Sequence, residues 1–311
     1  MEHKVTHFIA IPWTGLGLYG GYRGDRWLRN RIRVFKQFVL PSLLNQTNKN
    51  FVVWHAWRRE ERNNPIVVEF EEYMKLSGLE NVFTFSGIYF WDDKYPDKEA
   101  KERLVTSLHG ALQTLVNYTG DSTDVIYTLQ PSDDCYISTM VEDTQKFFKE
   151  NPDYQAVTYT KGLTMDYATG RLAEYNPSTN PPFFSIKFPK EVFIDPFKHM
   201  EYTGPFKSHE YIGNKLKLAK EEDERGFIVG IHFDNISTVF DHPYRGDFVD
   251  ISVLKDFGLQ DAGKLIIAFS IRRHFFKKLP YAVKRKLRYW SGDKKWILKP
   301  VFAVLYNFLR A

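Results

Sequence analysis

Four short apolar runs, each separated from the next by a stretch of helical period, constrain this chain more than any other feature. VTHFIAI at residues 5–11 is apolar almost without alternation, the pattern of a strand covered on both faces. FVVWHAW (51–57), NVFTF (81–85) and VIYTL (125–129) repeat it. Between the first two lies a glycine-rich loop, residues 15–24, and then RWLRNRIRVFKQFVLPSLLNQT. There Ile32, Phe35, Val39 and Leu43 fall at near-helical spacing, with Pro41 marking a kink or a fresh helix start. Residues 65–77 read as a second helix. Residues 101–118 read as a third, with Leu104, Leu108, Ala111, Leu112 and Leu115 on one stripe before Gly120 stops it. Strands alternating with helices predict a parallel sheet with right-handed crossovers. With 311 residues, 43% of them hydrophobic and 16% aromatic, the chain can bury a large core.

A different texture begins at residue 162. DYATGRLAEY reads as a hairpin turning across Ala168, Thr169 and Gly170, so residues 162–197 predict a small antiparallel insert. Its prolines, Asn176, Phe183 and Phe184 make a stiff aromatic surface. Such a face suits sugar rings and is a candidate acceptor wall; the two phenylalanines fit a core equally well.

The fourth strand leads into the most informative stretch, TDVIYTLQPSDDCYISTM. In a parallel sheet, ligands bind beyond the carboxyl ends of the strands, and PSDD lies where this strand leaves the sheet. Asp133 and Asp134 repel each other unless a cation or an array of donors shares them. A divalent ion carrying a diphosphate would resolve the repulsion, since Mg²⁺ is commonly held by one or two carboxylates plus substrate phosphates. The alternative is a helix start near Ile137, with Ser132 as its cap and the acids favoured by the dipole.

Other candidates follow from position. Ile11 and Pro12 end the first strand where a nucleotide base would lie, and Arg23, Arg26 and Arg29 can meet phosphates through guanidinium forks or form a solvated basic face. His232, in FIVGIHFDNIS, follows an apolar run and is placed either to complete a metal site or to serve as a hydrogen-bonded structural residue, with Asp234 and Asn235 as turn formers. In KSHEYIGNKL, Ser208 is a helix cap and His209 and Glu210 lie in the first turn. Either could act as a base, or both could be ordinary helix-start polarity.

The net charge of +5 hides an asymmetry. Residues 264–311 hold thirteen Lys and Arg against one acid, Asp293, so this tail carries +12 and residues 1–263 carry −7. Phe, Trp, Tyr and Leu are interleaved with the basic clusters, and no apolar stretch approaches the ~20 residues of a spanning helix. The tail is expected to lie on an anionic membrane surface. No nucleic acid is expected as a partner, because the aromatics favour a lipid interface. MEHKVTHFIAIPW runs straight into a strand without the order of a signal peptide. The single cysteine, Cys135, fits a reducing compartment and reads as a strand-end filler. The expectation is a cytoplasmic protein, peripheral at the inner face of the membrane.

FKQFVLPSLLNQTNKNFVVWHAW, RLVTSLHGALQTLV, YTLQPSDD, NPPFFSIKFPKEVF and GIHFDNIST, in that order and spacing, resemble the rhamnosyltransferase family of GT-A-type glycosyltransferases over roughly residues 5–240. The resemblance implies a GT-A-like α/β fold, with a mostly parallel sheet flanked by helices, over residues 1–263, followed by the basic tail. It implies a nucleoside-diphosphate sugar donor, held through Mn²⁺ or Mg²⁺ on Asp133 and Asp134, with His232 completing the metal site and Ile11, Pro12, Arg26 and Ser132 around the donor. The general base maps onto Glu210, with His209 as rival. The acceptor would be a glycan or lipid-linked glycan, contacted by Phe183 and Phe184. The sequence departs from the family where D-x-D-D is usual, because Pro131 stands at the first acid. The reaction implied is transfer of a sugar, rhamnose by the family's name, with inversion. A catalytically inactive nucleotide-sugar or glycan binder, tethered by the tail, is the alternative.

Overall fold

A computed structural model describes residues 4–14, 24–86, 97–203, 209–232 and 239–262. The basic tail, most of the glycine-rich loop, Arg23, Ser208, Asp234 and Asn235 lie outside the described residues.

Strands β1 (Val5–Pro12), β2 (Val52–Ala56), β3 (Asn81–Thr84) and β4 (Asp124–Leu129) are the four apolar runs of the sequence. All three of their pairings, β1 with β2, β1 with β4 and β2 with β3, are parallel. Near-continuous apolar character has its reason here, because β1 is covered on both sides. Phe8 and Ala10 enter one core with Leu108, Leu112 and Phe193, while Ile9 and Ile11 enter the other with Leu28, Phe35 and Phe70.

The helices between the strands form as the spacing predicts. The first, α1 (Asp25–Val34), continues through a π-helical turn, Phe35–Val39, into α2 (Leu40–Leu44). Pro41 explains the wide turn. It has no N–H to donate and its ring crowds the preceding turn, and Leu40 N–H bonds back five residues to Phe35 O. Next come α3 (Pro65–Lys75), capped by Asn64, and α4 (Asp97–Leu115), whose stripe Leu108, Ala111, Leu112 and Leu115 is buried. Burial of each such leucine stabilises the fold by on the order of 2 kcal/mol.

The other half of the sheet is mainly antiparallel, with β9 running parallel to β6, and it is larger than the small insert expected. After β5 (Cys135–Tyr136) and α5 (Met140–Glu150) come β6 (Ala156–Asp166), β7 (Arg171–Tyr175), β8 (Phe184–Pro189), α6 (Lys190–Phe193), α7 (Pro196–Thr203), β9 (Leu218–Ile231) and β10 (Arg245–Phe248). They join the parallel strands in one ten-stranded sheet of order β10-β7-β6-β8-β4-β1-β2-β3, with β9 paired to β5 and β6. The predicted hairpin is present: Asp166 faces Arg171, and Gly170 takes the left-handed conformation, φ 74°, that the turn requires. The fold is α/β, with a mixed sheet flanked by helices.

Candidate functional site

PSDD does not start a helix. β4 ends at Leu129, Ser132 and Asp133 form a turn, and the chain enters β5 before α5 begins at Met140. The capping alternative is thereby overturned, and the acids sit at the carboxyl end of β4, where an α/β sheet binds ligands.

What resolves their repulsion is a side chain that the sequence reading passed over. Arg31 is 2% exposed. Its Nε donates to Ser132 Oγ at 2.7 Å, and its Nη1 donates to Asp133 Oδ2 in a short ion pair. His232, at the end of β9, brings Nε2 to 3.0 Å from the same carboxylate oxygen and to 3.2 Å from Arg31 Nη1. One nitrogen cannot donate and accept at once. A carboxylate only accepts, so Nε2–H donates to Asp133 and its distance to Arg31 is a close approach. Asp134 turns elsewhere: its Oδ1 accepts from Gly230 N–H of β9 at 2.8 Å.

The backbone around this cluster is tightly held. Tyr167 Oη donates to Asp133 O at 2.8 Å while its ring stacks on Phe38, centroids 3.7 Å apart. Gln130 Nε2 donates to Asp134 O at 3.0 Å, and among the described residues its buried Oε1 has no hydrogen-bond partner. A Cβ on Gly230 would lie 2.1 Å from Asp133 O, so only glycine lets β9 approach the turn.

The two acids are electrostatically unlike. Burial disfavours charge on Asp133, but Arg31 and His232 more than offset it, and the carboxyl is held below its ordinary range. Burial, reinforced by the charge on Asp133, pushes Asp134 well above that range. The negative charge of the pair is thus favoured on Asp133, beside Arg31, and disfavoured on Asp134.

This arrangement does not fit the expected metal. Among the described residues no group of three or more His, Cys, Asp and Glu side chains is placed to hold an ion. Asp133, Asp134 and His232 are neighbours, but Arg31 and His232 converge on Asp133 Oδ2, and Asp134 faces β9. A divalent ion about 2.1 Å from Oδ2 would lie within about 4 Å of the guanidinium. Two charges against one cost about 8 kcal/mol at an effective dielectric constant of ~20. The Mn²⁺ or Mg²⁺ expectation and this donor set disagree.

The remaining candidates fall in different places. Ile11 and Pro12 are buried at the end of β1, paired with His55 and Ala56. Arg26 is exposed, about 140° around α1 from Arg31 at 100° per residue. His209 and Glu210 lie in a 3₁₀ turn, His209–Asn214, tied to the segment before β8. His209 Nδ1 is 2.6 Å from Asn180 O, and Thr179 Oγ1 donates to Glu210 Oε1 at 3.0 Å. A carbonyl only accepts, so Nδ1 carries the proton and Nε2 is the basic nitrogen of His209. Burial lowers the His209 pKa, which keeps the ring neutral. Antiparallel pairing of Thr128 with Ser185 puts the start of β8, and hence this segment, at the carboxyl end of β4.

Phe183 and Phe184 correct the acceptor-wall expectation. Both are buried, and Phe183 stacks on Phe227 at 3.9 Å. Phe183 fills one core and Phe184 the other, which leaves neither ring a face for a sugar.

Arg31 was recognisable in principle, as an arginine set within the apolar stripe of Trp27, Leu28, Ile32 and Phe35. Gly230, a lone glycine in the apolar run FIVGI, carried the usual signal of close backbone approach. Tyr167 and Gln130 had no comparable mark.

No family model and no curated protein matches the chain. Among solved structures, it is similar to the crystal structure of S. aureus TarS at 12% identity and a TM-score of 0.33, over 73% of this chain and 37% of that one. It is similar to the crystal structure of S. aureus TarS 1-349 at 12% identity and a TM-score of 0.34, over 95% of this chain and 74% of that one. The chain thus spans just over a third of the longer TarS chain, and the fold described here rests on strand register, not on these likenesses.

Proposed function

We propose that this protein is a glycosyltransferase, moving a sugar from a nucleoside-diphosphate donor to a hydroxyl of a glycan or glycolipid. One observation carries the reading. A buried cluster of Arg31, Ser132, Asp133 and His232, costly to assemble without a use, stands at the carboxyl end of a parallel strand in an α/β sheet. The motifs resembling the rhamnosyltransferase family support the same class, and rhamnose is the sugar that family suggests.

In this reading the turn at Ser132 and Asp133 faces the donor, and Ile11, Pro12 and Arg26 belong to its surroundings. Glu210 is the base for the acceptor hydroxyl, with His209 as second candidate through Nε2. Both sit on a 3₁₀ turn hydrogen-bonded to Thr179 and Asn180, in the segment just before β8. Exchange of Glu210 for Gln removes the proton acceptor and keeps the Thr179 contact. Turnover should fall by about 10²-fold or more while nucleotide affinity is unchanged. Equal turnover would move the role to His209, to be checked with His209→Asn.

The experiment for the class is thermal stability with UDP, dTDP, GDP and CMP, each with and without Mn²⁺, on wild type and on Asp133→Asn. A ligand at about 100 times its dissociation constant stabilises by about 2.7 kcal/mol. One nucleotide should stabilise the wild type and not the variant. No shift with any of them would sink the reading. Binding without release of nucleotide from a sugar donor would instead favour the inactive binder, with Asp133 fully engaged by Arg31.

A further inference from the structure

We propose that the site works without a divalent metal, with Arg31 as its resident cation, so that binding of a nucleoside diphosphate is independent of Mn²⁺ and Mg²⁺. This rests on the glycosyltransferase reading above and concerns how the same site carries charge.

The argument begins with the need for a metal at paired carboxylates. A diphosphate and two ionised acids repel one another, and an ion between them removes the repulsion. Here that need has been met within the chain. Asp133 already has a guanidinium on Oδ2, with a second nitrogen of the same group on Ser132 Oγ at 2.7 Å. Asp134 has its Oδ1 on Gly230 N–H at 2.8 Å and is not directed at the oxygen where Arg31 and His232 meet. The carboxylate most suited to a metal is therefore the one that a fixed positive charge occupies.

The position of Pro131 agrees with this. The family's pattern D-x-D-D has an acid there, and proline supplies no side-chain ligand. With proline there and Arg31 on Asp133 Oδ2, Asp133 and Asp134 do not converge on one point that Mg²⁺ could occupy in its near-octahedral geometry. It remains suited to an anion. An arginine held by Ser132, Asp133 and the helix α1 is a preorganised charge.

Arg31 is in this account a cation that acts through the fork it makes with Asp133 and Ser132. Arg31→Lys, which keeps the charge and loses the fork, tests that separately from charge alone.

The experiment is calorimetric titration of the full chain with UDP, dTDP, GDP and CMP, in EDTA and then in roughly 5 mM Mn²⁺, above the dissociation constant of even a weak divalent-ion site. The expected result is one nucleotide whose affinity agrees within about twofold between the two conditions, and which Arg31→Lys weakens by about tenfold or more in both. Wild-type binding that appears only with Mn²⁺ overturns the proposal while leaving the transferase reading intact. Arg31→Lys binding as tightly as wild type also overturns it. Failure of every nucleotide in both conditions sinks the transferase reading and this proposal with it. The wild-type comparison holds even where Arg31→Lys fails to fold.

Discussion

Asp133 and Asp134 are adjacent in sequence and opposite in state, and the difference has measurable consequences. Asp133 has a folded pKa below its unfolded value because Arg31 and His232 outweigh burial. Its contribution is present above the ordinary carboxylate value of about 3.9 and fades as pH falls through the lower folded value. Asp134 has a folded pKa raised by burial and by Asp133, so it lowers stability as pH rises above that ordinary value. Asp134→Asn keeps an acceptor for Gly230 N–H and removes the ionisation. The variant should be more stable than wild type at pH 7, and the gain should vanish near pH 3. Urea denaturation across that range is the measurement, and an equal gain at both ends would refute the assignment. Arg31→Met strands a buried carboxylate and should cost about 3–5 kcal/mol. Arg31→Met combined with Asp133→Leu should recover most of that loss, because a buried ion pair replaced as a whole by apolar side chains is often neutral. A double variant as unstable as the single one would mean that the turn, not the pair, is what Arg31 supports.

At the scale of the element, the site depends on how closely β9 passes the turn after β4. Gly230→Ala places a methyl 2.1 Å from the backbone oxygen of Asp133 and against the Tyr167 ring, and neither is the loose end of a flexible side chain. Overpacking of this kind costs about 1–3 kcal/mol, and here it should also displace Asp134 from its hydrogen bond. The variant should melt at lower temperature and lose nucleotide binding. Unchanged binding would show that the approach of β9 is not needed. The parallel strands, the stripe of α4 and the hairpin at Gly170 were legible in the sequence because each repeats a local period or turn signal. β9 was only half legible. Its second part is the apolar run that precedes His232, but it begins at Leu218 in LAKEEDER, a mostly charged stretch without an apolar period in sequence, of which Leu218–Glu221 and Arg225 pair with β6. The acids were legible as a pair at a strand end. Their partner was not, since Arg31 is 102 residues from Asp133 in sequence and its meaning depends on β4 lying beside β1. Phe183 and Phe184 were ambiguous for a related reason, because an aromatic pair suits a core and a sugar face alike.

The whole molecule joins a body of net charge −7 to a tail of +12. We propose from that division that the tail recruits the protein to an anionic surface, where a lipid-linked acceptor would lie. No helix among the described residues is long and apolar enough to cross a membrane, and the tail itself lies outside them. Each Lys or Arg near such a surface contributes about 1 kcal/mol, so a few contacts are enough, while the body alone is repelled. The full chain should therefore co-sediment with vesicles containing phosphatidylserine, and a chain ending at residue 263 should not, although its nucleotide affinity is unchanged. Raising the salt separates charge from apolar insertion. The screening length falls from about 8 Å at 0.15 M to about 3 Å at 1 M, so attraction by Lys and Arg alone disappears, whereas inserted Trp, Phe and Leu side chains hold. Partial retention at 1 M salt is expected from the interleaved aromatics. Equal recovery of the truncated and full chains at 0.15 M would remove the tail from membrane attachment and leave its charge to be explained by another partner.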